Sequence, residues 1–213
     1  MQDIPFFHTE NGIASLRLKE IPYFKTAYIT IQSASNENNF LQECIEFCRA
    51  VGADKIYATG CASAGEPINV IKMTRDVGAL DNANAMLFPV QEETMPRWRE
   101  LYNLKMRNIT GAVYLTEAMA GQILSERKAY FVHKNGELIG IGTSLGDEIS
   151  AVASVQKGAG KDVVCALLGA LSEERVVIEV ASDNVKAMML YASLDFVPSG
   201  IVRSWYKIFD NVK

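Results

Sequence analysis

Histidine is almost missing from this chain, with only His8 and His133 among 213 residues. Neither has a His or Cys neighbour at ligand spacing, so a metal centre has no donor set and no metal is expected. Cysteine is nearly as scarce, with four residues. Cys44 and Cys48 lie one helical turn apart, while Cys61 and Cys165 stand alone. That is no disulfide framework, and it agrees with a reducing, cytoplasmic setting. Cys44 and Cys48 fit the buried face of a helix better than half of a metal site. No apolar run approaches the ~20 residues that span a bilayer. The first residues carry Asp3, His8 and Glu10 in place of a signal-peptide core. Neither a membrane nor secretion is expected. Positive charge is not in excess either: 21 Lys and Arg against 25 Asp and Glu leave −4. Nothing electrostatic therefore argues for a nucleic acid or an anionic surface as partner.

What is present is the composition of an ordinary globular protein, 49% hydrophobic and 22% charged. The length suits one large domain or two small ones. Residues 6–33 read as short strands, with Asn11-Gly12 as a tight-hairpin signal. Leu41, Cys44, Ile45 and Cys48 then follow helical spacing, with Asn39 as the expected cap, Gln42 three later and Gly52 as the stop. DKIYATG reads as a strand, and INVIKMTRD as another, between the turn-rich stretches CASAGEP (61–67) and GALDNANA (78–85). The second stretch is the expected domain boundary, giving spans 1–84 and 85–213.

Beyond it, MLFPV reads as a strand and EETMPRWRELYNLKM as a helix, with Thr94 before it, Pro96 in its first turn and Met95, Trp98 and Tyr102 on one side. TEAMAGQILSE predicts a shorter helix. YFVHKNGELIGIGTS carries a second Asn-Gly hairpin at Asn135-Gly136, and EISAVASV a strand. A helix with Val164, Leu167, Leu168 and Leu171 on one face follows, then the apolar strand VVIEVAS. The last helix is expected from about Asn184 to Leu194, before two β-like pieces around Ser199-Gly200. A weak internal repeat also shows: strand 28–33, helix 39–51 and strand 54–59 return, at constant offset, as 149–154, 160–172 and 175–180. The match is of pattern, not of residues, and chance convergence of two βαβ units also explains it.

Chemistry concentrates in SVQKGAGKDVVCALL, 154–168. A glycine turn with Lys157 and Lys161 opens a helix, the setting in which backbone N–H groups hold phosphate. A nucleotide triphosphate loop fails on spacing, since Val155 stands where its first glycine belongs and Asp162 where its hydroxyl belongs. A dinucleotide fingerprint fails because Val163 replaces its third glycine. An ordinary strand-to-helix turn with solvated lysines also fits these residues.

The last helix resolves this. Asn184, Ala187, Leu190, Tyr191, Leu194 and Phe196 resemble the Asn-x-x-Ala-x-x-Leu-Tyr-x-x-Leu-Gly-Phe pattern of GNAT-type N-acetyltransferases. The family's glycine-containing helix start falls at Lys157-Gly158-Ala159-Gly160, one strand earlier, as the resemblance requires. The likeness covers about 85–213. It implies an α/β fold of the acyl-CoA N-acyltransferase type, a mixed, mostly antiparallel central sheet flanked by helices, with a truncated copy of the same unit before it. It implies acetyl-CoA as co-substrate, its pyrophosphate on Lys157, Gly158, Ala159, Gly160, Lys161 and Asp162, and its thioester and pantetheine along Val152 and Ala153. It implies Tyr191 as the acid beside the departing sulfur and Asn184 as a contact to the cofactor arm. A core tyrosine and a simple helix cap are the plainer roles of these two side chains. Departures stand at Val155, where Arg or Gln is usual, at Asp162, which sets a negative charge beside the pyrophosphate, and at Asp195, in place of glycine before Phe196. Asp147, Glu148 and Glu117 are open as bases, and spacing selects none.

The expected activity is acetyl transfer to a primary amine of a small molecule or protein. The alternative is an acyl-CoA sensor without turnover. For the first half, the resemblance leaves covering the sheet, shaping the acceptor cleft or mediating dimerisation, so a homodimer stays open.

Overall fold

The computed structural model describes residues 5–61, 65–76, 85–126, 128–171 and 174–211. The turn at 62–64 and nearly all of the expected boundary, 77–84, lie outside them. Packing divides the chain into two compact units that are not contiguous in sequence: 1–70 with 110–114 and 202–213, and 71–109 with 115–201. The spans expected from sequence were contiguous. β5 (Ile68–Asp76) and β11 (Val197–Asp210) each contribute residues to both units, and the segment 110–114 falls in the first. β11 is continuous through Gly200, where the sequence suggested two pieces.

In the first unit, β1 (Phe6–Thr9) and β2 (Gly12–Arg17) form the expected hairpin, but Asn11-Gly12 does not occupy its turn. Thr9 pairs with Gly12, so Glu10 and Asn11 make the loop and Gly12 begins the strand. Glycine is required there for space: a Cβ would stand 2.6 Å from Ser33 O and 2.7 Å from Phe40 Cδ1. The loop is held by side chains, with Thr9 Oγ1 and Asn11 Nδ2 donating to the Glu43 carboxylate at 2.6 and 2.7 Å. A one-turn helix, α1 (Ile21–Phe24), then interrupts what sequence presented as strands alone. β3 (Thr26–Ala34), α2 (Glu37–Ala50) and β4 (Lys55–Thr59) complete a βαβ unit. Asn36, not Asn39, caps α2, its side chain accepting from the Asn39 N–H at 3.2 Å, and Gly52 ends it at φ 98°. Cys44 and Cys48 are fully buried in this core with Phe40, Ile29 and Ile56. β4 pairs on its other side, antiparallel, with β11.

The second unit repeats the pattern at larger scale. β6 (Ala85–Pro89) leads through a 3₁₀ turn to α3 (Met95–Met106) and α4 (Glu117–Ser125). Thr116 caps α4 by accepting from Met119 N–H, and Trp98 on α3 donates to Tyr130 O at 3.0 Å. β7 (Ala129–Lys134) and β8 (Glu137–Leu145) turn at Asn135-Gly136, here a true two-residue loop with both residues at positive φ, 52° and 82°. β9 (Glu148–Ser154), α5 (Gly160–Leu168) and β10 (Arg175–Ala181) form its βαβ unit, and α6 (Val185–Ala192) leads into β11. Strands β6 to β9 are antiparallel neighbours, β9 and β10 are parallel, and β10 has β5 on its far side. Among the described residues no helix is long and apolar enough to cross a membrane.

Candidate functional site

The two βαβ units start alike, with their parallel strands joined at the same sequence separation, and then differ. In the first, β3 stays joined to β4 through five pairs, from Thr26–Lys55 to Thr30–Thr59. In the second, β9 meets β10 only at Glu148–Val177 and Ile149–Ile178. Both strands run on, to Ser154 and Ala181, without pairing to each other. A strand that keeps β geometry while leaving its neighbour presents a row of backbone N–H and C=O groups to whatever enters the gap. Val152 and Ala153 lie in this unzipped stretch, held on their other side by Gly142 and Ile141 of β8.

The strand delivers the chain to the glycine turn. Val155 and Gln156 N–H donate to Ile139 O, which fastens the turn to β8. Gly158 sits exposed at φ 85°, a conformation that disfavours a side chain. α5 begins at Gly160, and its first intrahelical bond runs from Val163 N–H to Ala159 O, which leaves the Gly160 N–H without an intrahelical partner at the helix start. Lys157 and Lys161 flank that start, exposed. Asp162, the residue whose charge opposes an anion here, is neutralised by Lys134 Nζ at 2.9 Å. Lys134 was invisible in the sequence: it ends a distant hairpin strand and no motif contains it.

Two further glycines missed by the sequence reading place α5. A Cβ on Gly140 or Gly142 of β8 would stand 2.3 Å from Val163 or Leu167. Alternate glycines in a strand were the available signal, since they mark close approach. Gly160 is tight as well, its Cβ position lying 2.9 Å from Leu190 Cδ2, which brings the start of α5 against α6.

α6 carries the other two expected residues. Asn184 is its cap, Oδ1 accepting from Ala187 N–H at 3.3 Å. Tyr191 is buried beside Phe196, ring centroids 5.9 Å apart, and burial pushes its phenol up to about 12. Asp147 and Glu148 are exposed at the zipped end of the β9–β10 pair. From Glu148 to Ala153 the strand rises about 16 Å at roughly 3.3 Å per residue, which sets both carboxylates away from Val152 and Ala153. Glu117 is exposed in the first turn of α4.

No protein-family model matches the sequence, and no curated protein matches it either. Solved structures do match the fold. A GCN5-related N-acetyltransferase from Sphaerobacter thermophilus aligns with TM-score 0.54 at 10% identity, over 94% of this chain and 78% of its own. A conserved protein of unknown function from Staphylococcus epidermidis aligns with TM-score 0.55 at 11% identity, over 99% of this chain and 95% of its own. A GCN5-related N-acetyltransferase from Anabaena variabilis gives TM-score 0.51 at 11% identity, over 84% of this chain and 54% of its own. With an unzipped β9–β10 pair, a glycine turn at the start of α5 and neighbours of this kind, the chain has the GNAT fold.

Proposed function

We propose that the chain is an acetyl-CoA-dependent N-acetyltransferase with one cofactor site, in the second unit, acting on a primary amine. The observation that carries the proposal is the early end of β9–β10 pairing, set against a β3–β4 pairing that lasts the whole length of β4. An extended pantetheine arm needs an unpaired strand edge facing a gap, and β9 and β10 both run on past their last pair, whereas β4 ends where its pairing with β3 ends. The first half, in this proposal, is a pared-down copy whose gap is shut and which lacks the glycine turn.

Acetyl-CoA supplies an activated acyl thioester, which a neutral amine attacks at the carbonyl as the thiolate leaves. Backbone N–H on β9 at Val152–Ala153 orients the arm and donates to the thioester oxygen as charge develops there. The N–H groups opening α5 hold the pyrophosphate, with Lys157 and Lys161 beside it and Lys134 keeping Asp162 from repelling it. Asn184, through its cap, fixes the start of α6 and so the place of Tyr191. A phenol at about 12 is protonated at neutral pH, but full transfer to a thiolate near 8.5 is uphill by roughly 5 kcal/mol. Tyr191 therefore acts by donating a hydrogen bond to the sulfur, and the proton that finishes CoA thiol comes from the acylated nitrogen.

Calorimetric titration with acetyl-CoA, with ATP and NAD as controls, tests this. One site per chain for acetyl-CoA alone is expected. No binding at millimolar ligand, or two sites per chain, overturns it. A panel of primary amines follows, including polyamines, amino acids and peptides with free N-termini. Binding without turnover selects the sensor instead, a reading favoured by the packing of Tyr191 against Phe196 in the core.

A further inference from the structure

The connection between α3 and α4 is anchored in a way the transfer chemistry does not require. Both of its ends are tied to α3 in the second unit. Ile109 N–H donates to Met106 O, and Asn103 brackets Leu115, accepting its N–H at 2.8 Å and donating to its carbonyl at 3.0 Å. The five residues between, 110–114, belong to the first unit.

There the segment meets a dedicated set of side chains. Arg17 Nη2 donates to the carbonyls of Gly111 and Ala112 at 3.1 and 3.3 Å. Its guanidinium lies 3.9 Å from the Tyr28 ring centre, and Tyr28 Oη accepts the Gly111 N–H at 2.8 Å. Tyr23 stacks on Tyr114 with centroids 3.5 Å apart and planes within 3°, and Phe24 meets the same ring edge-on. Gly111 needs its φ of 84°, and a Cβ there would stand 3.3 Å from Trp205 Nε1. Behind Arg17, 3.5 Å from its Nε, sits the wholly buried carboxylate of Glu20, whose oxygens have no hydrogen bond among the described residues. A buried charge without hydrogen bonds is costly to keep. Its presence is explained if it orients the guanidinium whose other end grips the segment.

We propose that Arg17 is a positioning residue: with Glu20 and Tyr28 it pins the α3–α4 connection, and this is what the first unit contributes to function. The coupling is carried by the peptide chain itself, because residues 110–114 are covalently continuous with α3 and α4. Under the acetyltransferase proposal, on which this part rests, α3 and α4 matter because Met95, Trp98 and Ala120 pack with Ala153 of β9 while α5 packs in a separate core cluster, so the pin governs acceptor binding and leaves acetyl-CoA binding alone.

Hydrogen–deuterium exchange on the full chain tests the pin without any activity. Arg17→Met alone strands the Glu20 charge and risks unfolding the unit, so the informative variant is Arg17→Met/Glu20→Gln, with Arg17→Lys as the charge-preserving control. The double variant is expected to speed exchange across 107–126 by roughly tenfold, with peptides of α2 and α5 changed less than about twofold. Arg17→Lys, which keeps the charge but loses the planar fork, is expected to fall between. Unchanged exchange at 107–126, or loss of protection spread through β2, β3 and α2, overturns the proposal. For whichever panel amine the wild type turns over, the amine KM rises while the acetyl-CoA KM holds; equal changes in both overturn the acceptor assignment. If acetyl-CoA does not bind at all, the acetyltransferase proposal fails while the exchange result still decides the pin.

Discussion

Burial gives Tyr191 a definite pH signature. Its folded value is about 12 against an ordinary 10, and desolvation is the cause. The folded state thus holds the phenolic proton more tightly than the unfolded chain does. The corresponding stability is present below pH 10 and is lost as pH climbs from 10 toward 12. Tyr28 adds to the same window: burial raises it to about 12, opposed by the Gly111 hydrogen bond and by Arg17. Tyr191→Phe is expected to remove part of the alkaline loss of stability, seen in urea unfolding at pH 8 and pH 11. In turnover assays it is expected to lower kcat by about 10²-fold, in the range of a lost hydrogen bond to a charged group, with acetyl-CoA affinity unchanged. Unchanged kcat removes the sulfur-side role and leaves a core tyrosine. At this scale the sequence was informative about identity and silent about environment. The motif placed Asn184 and Tyr191 on one helix, but Lys134, which tempers Asp162, comes from a strand no local pattern links to the turn.

At the scale of elements, the end of α6 explains a departure noted in the sequence. Phe196 N–H bonds to Tyr191 O and Asp195 N–H to Ala192 O, a Schellman closure with Asp195 at φ 62°. That left-handed position is where glycine is favoured, so Asp195 carries backbone strain. Asp195→Gly is expected to stabilise the protein by about 0.5–1 kcal/mol, raising Tm in a thermal melt; a fall in Tm would show that its side chain has a compensating role. Helices were read from apolar spacing with their faces correct, as Cys44, Cys48 and Trp98 show by burial. Caps and turns were read less well. Asn36 and Asn39 both satisfy cap chemistry, and only the path of the chain out of β3 selects Asn36. Asn11-Gly12 has the composition of a hairpin turn, yet Glu43 of α2 holds a different loop and Gly12 serves the approach of Phe40.

At the scale of the whole molecule, each compact unit uses a strand from the other half of the sequence. β5 lies beside β10, and β11 closes on β4 with Trp205 buried against Tyr28 and Tyr57. Deleting residues 202–213 is therefore expected to unpair β4 and open that aromatic cluster. Losing a buried Trp alone costs about 3–5 kcal/mol, a large share of a total stability of about 5–15 kcal/mol. Exchange protection in α2 is expected to collapse in this variant while α5 stays protected. Retained protection in α2 would show that the first unit folds without β11.

The sequence alone determined most of the element order, short of α1 and the continuity of β11, the faces the helices bury, the glycine turn before α5 and the motif that points to this fold. Periodicity and short motifs are local, and local chemistry encodes them. Only the tertiary structure decided that β9 leaves β10 after two pairs while β3 follows β4 through five. It also decided that β5 and β11 each serve both units, and that Arg17 reaches Gly111 across the sequence. Those outcomes depend on which strand edges meet and which side chains fit between them, a competition settled by packing over the whole chain.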